Sequence, residues 1–393
     1  MIEFDERPAQ IGTNIKIVGV GGAGGNAVNT MIEKELYGVE FIAANTDISD
    51  LVKSQAKMKL QLGKKLTRGL GTGANPDVGN RSAEESKEEI ISHLEGADMV
   101  FITAGMGGGT GTGAAPVIAK IARDLGILTL GIVTTPFPFE GKKRHSNADE
   151  GLQNLREFVD TLIVIPNSKL CEIYSDLTLV EAFHRADNVL YEAAKAISDI
   201  INIPGLVNVD FADVKTVMQN MGFALMGTGT CEGENRAVMA AKAAINNPLL
   251  SDISLQGCKA LLINITAGND IKMSEFEEVS SVIVNETGSD ANIIMGIIID
   301  PEMVNKVSVT IIATGLSSLI EEKVLDFPSI QVQQPAAPRE PRKSKPDENI
   351  EDIFARIGIN QNNPKDDNSE QDEESMRHYT PRTDLPSFLK ALD

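Results

Sequence analysis

Apolar runs and polar stretches alternate along the first half of the chain with a regular rhythm. Short apolar segments at 15–20, 41–44, 99–103, 128–133 and 162–165 are separated by stretches with helical spacing. Such runs, bounded by turn residues, predict strands buried on both faces, and their alternation with helices predicts a parallel sheet covered on both sides. The loops after them are rich in Gly, Asn and Thr, as ligand loops at the carboxyl ends of a parallel sheet are. A longer pattern follows. Thr178 and Glu181 have capping-box spacing, and Phe183, Ala186, Val189, Leu190, Ala193, Ile197, Ile200 and Ile201 recur at helical intervals until Pro204-Gly205. The spacing predicts a helix over 178–202 of nearly 40 Å, at about 1.5 Å per residue, long enough to join a ligand loop to a distant surface.

The second half reads as α+β. Strand-like runs at 223–226, 260–265, 293–299 and 307–313 alternate with helical patterns at 234–245 and 274–285, the latter opened by Ser274 and Glu277 at capping-box spacing. After about 325 the composition shifts to Pro335, Pro338, Pro341 and Pro346, basic residues, and then an acidic run at 366–374, which predicts a disordered linker. A short apolar element returns at 384–390. The organisation expected is an α/β domain over 1–177, the long helix over 178–203, an α+β domain over 204–325, the linker over 326–380 and a terminal peptide over 381–393. No internal repeat is present.

Composition removes several classes. The net charge of -20 repels a phosphate backbone, and 4% aromatic residues with no Trp leave few stacking platforms, so no nucleic-acid partner is expected. No apolar run reaches the length of a membrane span, and the first residues lack the basic and apolar regions of a signal peptide, so no direct membrane insertion is expected. Cys171, Cys231 and Cys258 form no paired motif, and the four histidines show no ligand spacing; reduced thiols and no structural zinc are the expectation.

Three glycine clusters carry the chemistry. Gly19-Val20-Gly21-Gly22-Ala23-Gly24-Gly25-Asn26 follows a strand and opens a helix, and it fits the dinucleotide pattern G-x-G-x-x-G. A dinucleotide site wants an acidic residue at the end of the second strand; here that strand ends Ala43-Ala44-Asn45-Thr46-Asp47, with Asn at the expected place. The second cluster, Gly105-Met106-Gly107-Gly108-Gly109-Thr110-Gly111-Thr112-Gly113, lies between an apolar strand and an apolar helix, where backbone N–H groups and a helix N-terminus can close around an anion. It lacks the lysine of G-x-x-x-x-G-K-[ST]. The third, Gly69-Leu70-Gly71-Thr72-Gly73-Ala74-Asn75-Pro76, suggests a polyphosphate wrapped by several loops. An NAD-dependent enzyme, a nucleotide-hydrolysing protein and a nucleotide-binding scaffold without turnover all remain open on these residues.

Gly107 to Gly113 resembles the tubulin signature as it occurs in the FtsZ family of bacterial cell-division GTPases. The resemblance continues through Thr134-Thr135-Pro136-Phe137-Pro138-Phe139-Glu140-Gly141-Lys142-Lys143-Arg144, Ile165-Pro166-Asn167, Ala182-Phe183-His184-Arg185-Ala186-Asp187 and Asn208-Val209-Asp210-Phe211-Ala212-Asp213. It implies a tubulin/FtsZ-like α/β fold, GTP and GDP as substrate and product, and Mg²⁺ between the β- and γ-phosphates. It further implies a nucleotide site built from Gly21, Gly22, Ala23, Gly24, Gly25, Asn26, Asn45, Gly71, Thr72, Gly73, Gly107, Gly108, Gly109, Thr110, Gly111, Thr135, Glu140, Arg144 and Asn167. In that family Phe183 would stack on guanine, and the Asp187 carboxylate would accept from guanine N1–H and the 2-amino group. Asn208, Asp210 and Asp213 would be the catalytic set, acting on the nucleotide of the next copy in a head-to-tail homopolymer. Read locally, Asp210 and Asp213 are also ordinary helix-capping residues. The element Asp384-Leu385-Pro386-Ser387-Phe388-Leu389 resembles the family's partner peptide and implies membrane-anchoring and regulatory division proteins as partners, at a mid-cell ring in the cytoplasm. Asn167-Ser168-Lys169-Leu170 and Tyr191-Glu192-Ala193-Ala194-Lys195 depart from the family pattern.

Overall fold

The apolar runs of the first half form strands whose alternate residues serve two cores, one on each face of a sheet. In β1 (Ile15–Val20) every position is buried; Ile15 and Ile17 pack on one side, Val18 and Val20 on the other. The computed structural model describes residues 12–174, 177–207, 209–250, 255–287 and 291–316. After β1 come α1 (Gly21–Glu33), β2 (Val39–Asn45), α2 (Ile48–Lys53), β3 (Met58–Gln61), α3 (Pro76–Glu85), α4 (Lys87–Leu94) and β4 (Met99–Gly105). Then follow α5 (Thr110–Asp124), β5 (Leu128–Thr135), α6 (Lys142–Arg156), β6 (Thr161–Pro166) and α7 (Asn167–Ile173). These six strands are parallel, in the order β3-β2-β1-β4-β5-β6. The order turns back at β1, which lies between β2 and β4, and ligand clefts form at such switch points.

The long helix is present as α8 (Leu179–Asn202), and its start obeys the capping box: Thr178 Oγ1 accepts from Glu181 N at 3.3 Å, and Glu181 Oε2 accepts from Thr178 N at 2.8 Å. Its face of Ala186, Val189, Leu190, Ala193, Ile197 and Ile200 is buried in the same core as Ile15 and Ile17. α9 (Phe211–Met218) follows, then β7 (Gly222–Glu232), α10 (Arg236–Ile245), β8 (Ala260–Ala267), α11 (Met273–Thr287), β9 (Asn292–Ile299) and β10 (Lys306–Thr314). β7 pairs in parallel with β6 over three residues and extends one sheet to ten strands, continuing β7-β10-β8-β9 with β10 antiparallel to both neighbours.

The structure departs from the sequence pattern at α11. Ser274 does not cap it. The buried Arg236 side chain holds Glu275, and Glu275 accepts from Lys272 N at 2.8 Å, so the helix begins at Met273, one residue before the expected start. The periodicity also does not locate β3 and the helices α2, α3, α4 and α7 as elements, whereas α9 begins where Asp210 and Asp213 mark a helix start.

Because the Thr178 hydroxyl accepts from a first-turn N–H at the exposed start of α8, Thr178→Ala is expected to lower stability by about 1 kcal/mol and Thr178→Ser by much less. Urea unfolding of the two variants checks this.

Candidate functional site

The loops at the carboxyl ends of β1, β2, β4, β5 and β6 surround a cleft of about 510 Å³ that is closed on one side by the start of α8. Two helices open onto it, α1 from Gly21 and α5 from Thr110, and neither has a side-chain cap: Val20 and Gly109 occupy the N-cap positions. α2, α3, α8 and α9 are capped by Asp47, Asn75, Thr178 and Asp210, while α4, α6, α7 and α10 also begin without a side-chain cap. The first-turn N–H groups of α1 and α5 are therefore left for a ligand, and a helix N-terminus favours an anion.

The glycine loops meet there as expected. Gly21, Gly22 and Ala23 line the cleft from α1; Gly71, Thr72 and Gly73 line it from the loop before α3; Gly108, Gly109, Thr110 and Gly111 line it from the loop into α5. Gly107, at φ +96°, turns that loop behind the lining, where its N–H donates to Thr112 Oγ1 at 2.9 Å. The Thr110 hydroxyl lies 2.7 Å from that of the buried Thr46 and 3.5 Å from that of Thr72.

At the other end are Thr135, Glu140, Arg144, Asn167, Phe183 and Asp187. Phe183 is 44% exposed and meets the buried Phe137 edge-on at 5.0 Å, while Phe137 stacks on Phe139 at 5.2 Å. Glu140 accepts from Phe137 N at 2.9 Å and pairs with Arg144 at 2.5 Å, so both side chains hold their own loop as well as facing the cleft. Asn167 is 6% exposed, and its Oδ1 has no hydrogen-bond partner among the described residues. A buried acceptor left open beside a cleft points to a missing donor. Burial pushes the Asp187 carboxyl up to about 7.

Four of the expected residues are not on the cleft wall. Gly24 faces β4: a Cβ there would stand 2.3 Å from Thr103 O. Its role is the close approach of α1 to the sheet. Gly25 and Asn26 line a small adjoining hollow between α1 and α2, and Gly107 lies behind the loop. Among the residues on the wall that the motifs do not single out, two are charged, Asp47 and Asp50. Asp47 stands two residues past the place where a dinucleotide site wants an acid, and nothing local distinguishes Asp50 from a first-turn helix acid. Asp47 Oδ1 accepts from Ser49 N and Asp50 Oδ2 from Asn45 Nδ2, and the other oxygen of each accepts no bond among the described residues. Arg144 is the single basic residue on the cleft wall, against the four carboxylates Asp47, Asp50, Glu140 and Asp187. The wall therefore offers an anion open amides and one arginine, and no lysine. Asp47 and Asp50 are hard oxygen donors of the kind a magnesium ion takes alongside phosphate.

Asp210 and Asp213 lie elsewhere. Asp210 caps α9, accepting from Asp213 N at 2.8 Å, and both are exposed. About 22 Å of helix separates Asp187 from the end of α8, at 1.5 Å per residue. The connection beyond it is held to β9 by Leu206 N donating to Ile297 O at 3.0 Å. Asn208 and the segment with Asp384, Leu385, Pro386, Phe388 and Leu389 lie outside the described residues.

The fold and cleft define a doubly wound α/β protein whose cleft lies at a sheet switch point with two uncapped helix N-termini open to it. The family model for the Tubulin/FtsZ family GTPase domain matches residues 14–175, and that for the FtsZ family C-terminal domain matches 222–317. The protein named Cell division protein FtsZ from Pseudomonas aeruginosa is 54% identical over 325 residues, 82% of each chain. Its namesake from Coxiella burnetii is 51% identical over 319 residues, 81% of this chain and 82% of that one. Among solved structures, the empty FtsZ dimer of M. jannaschii is 45% identical with a TM-score of 0.76, covering 79% of this chain and 90% of that one. CetZ2 from Haloferax volcanii, a GTPγS-bound protofilament, shares the fold at 21% identity and a TM-score of 0.67, covering 79% and 97%. The chain belongs to the FtsZ family and is a GTPase, with GTP and GDP as its substrate and product.

The packing role of Gly24 is separable from ligand binding. Gly24→Ala is expected to destabilise the nucleotide-free protein by about 1–3 kcal/mol, the cost of overpacking against backbone, whereas Gly108→Ala, with open space around its Cβ position, should leave it within about 1 kcal/mol. Urea unfolding without nucleotide separates the two.

Proposed function

We propose that this GTPase assembles head to tail into filaments for the bacterial division ring, and that each nucleotide is hydrolysed between two copies. The observation that carries this reading is the separation of the cleft from Asp210 and Asp213, which stand beyond opposite ends of α8. No carboxylate of that pair reaches the nucleotide of its own chain. A second copy, stacked so that its α9 start faces the cleft of the first, would complete the site. Such a contact joins two different surfaces, does not close on itself and generates a filament. The M. jannaschii neighbour, an FtsZ dimer, agrees with assembly of this kind.

Within the site, the α1 and α5 amides would hold the phosphates, with Asn167 and Thr135 toward the ribose. Phe183, steadied edge-on by Phe137, would stack on the base, and Asp187 would accept from guanine N1–H and its 2-amino group, which adenine cannot supply. Asp47 and Asp50 would hold Mg²⁺, which when bound spreads charge from the β- and γ-phosphates. Phosphoryl transfer asks a protein mainly for positioning and charge stabilisation. Asp210 and Asp213 from the second copy, with Asn208, would orient the attacking water. GTP would then favour the contact between copies and its hydrolysis loosen it. The segment bearing Asp384 to Leu389 offers a few apolar anchors suited to a groove on a membrane-anchoring division protein, which would place the filament at mid-cell. No helix among the described residues is long and apolar enough to cross a membrane by itself.

Asp213→Ala should retain GTP binding, lose most turnover and leave filaments that persist longer. In the unmodified protein, turnover should rise only above a threshold concentration that coincides with sedimentable polymer. Turnover proportional to protein at high dilution would instead place the whole site in one chain.

Guanine recognition adds a pH dependence. Only the Asp187 carboxylate can accept both donors, and in the free protein its carboxyl stands near 7. Binding must therefore expel a proton below that value. GDP affinity should be flat above pH 7 and weaken by up to about tenfold per pH unit below it, and Asp187→Asn should bind weakly with no such slope. Titrations between about pH 6 and pH 8 decide it.

A further inference from the structure

We propose that Thr46, a residue outside the cleft wall, is a positioning residue that aims the hydroxyl proton of Thr110 at the phosphates. The inference rests on reading the cleft as a guanine-nucleotide site. Thr46 follows β2 and is 0% exposed, and its Oγ1 lies 2.7 Å from Thr110 Oγ1. Two hydroxyls at that distance share one hydrogen bond, and geometry alone permits either to donate. Burial settles the direction. The Thr46 hydroxyl makes no other hydrogen bond among the described residues, and a buried hydroxyl proton without an acceptor is costly. Thr46 therefore donates and Thr110 accepts. Each hydroxyl has one proton, so the proton of Thr110 remains available.

Thr110 is the first residue of α5, on the cleft wall, among the uncapped amides. Its proton has the Thr72 hydroxyl at 3.5 Å, at the limit of hydrogen bonding and on the same wall. A phosphate oxygen entering between the loops offers a better acceptor, because hydrogen bonds to ionised oxygens are shorter and about twice as strong as neutral ones. Thr46 is itself held independently of Thr110. Its carbonyl accepts from Gly71 N at 3.4 Å and from Thr67 Oγ1 at 3.3 Å, which ties it to the glycine loop before α3. One buried residue thus connects two phosphate loops by its backbone and its side chain.

The test is a double-mutant cycle in the full chain, read as GDP affinity. Thr46→Val keeps the shape and removes the donor, and should weaken binding about tenfold, the value of one hydrogen bond to a charged group. Thr46→Ser should restore affinity. Thr110→Val should lose about as much as Thr46→Val, and adding Thr46→Val to it should cost nothing further, because the two act as one unit. Thr46→Ala repeats the cycle if valine perturbs folding. Affinity unchanged in Thr46→Val, losses that multiply in the double variant, or a serine that fails to rescue would each overturn the proposal while leaving the nucleotide site standing. An unmodified protein that binds no GDP would overturn both.

Discussion

Two helices that begin without a side-chain cap meet over β1 and β4, and much of the N-terminal half serves to keep their amides free. α1 can start at Gly21 because Gly24 lets its first turn lie against Thr103 of β4; any side chain there would lift the helix off the sheet. α5 starts at Thr110 only because Gly107 turns the chain at positive φ and Thr112 takes its N–H. The same economy repeats where α3 crosses α5: a Cβ on Gly79 would stand 2.3 Å from Gly109 O. These glycines are conformational and packing devices first. The anion site is what remains once the helices have been brought that close without caps.

The charge arrangement follows from the same constraint. A site that recognises phosphate with amides needs no lysine, and this cleft has none. Four carboxylates on its wall would repel a nucleotide if they all stood bare. Glu140 is engaged by Arg144 and by Phe137 N, and burial pushes the Asp187 carboxyl up to about 7. That leaves Asp47 and Asp50, each with an open oxygen, as the two remaining wall carboxylates, which no basic side chain engages among the described residues. Net charge of the chain therefore says little about affinity here, because the local balance is set by which acids are already occupied.

Much of this was legible in the residues. β1, β4, β5 and β6 fall where apolar runs end in Gly, Asn or Thr, since a strand buried on both faces has no polar alternation to obscure its limits. Thr178 and Glu181 mark the start of α8, with Thr178 as its cap, because both halves of a capping box are local. β3 escaped because Met58 to Gln61 is too short for periodicity to register. Ser274 misled because the decisive partner of Glu275 is Arg236, which lies far away in the chain. In the site, the glycine loops could be read and Asp50 could not: a glycine cluster announces its purpose by composition, while an acid on the first turn of α2 acquires one only when tertiary structure sets it beside Gly22.

The reach of α8 makes the two ends of the molecule interdependent. Its first turns carry Phe183 and Asp187 on the cleft wall, and its last residue leads into a connection clamped to β9, where a Cβ on Gly205 would stand 2.1 Å from Ile297 O. A helix packed along its length against the core behind β1 and β5 behaves as a rod, so a displacement where the base binds cannot be absorbed within it. Asp210 and Asp213 sit just past the clamp, and Val207 bridges to the same Ile297. A ligand seated against Phe183 at one end would bear, through one packed element, on the surface that presents the two carboxylates at the other. A subunit contact that depends on what its own cleft holds requires such a link.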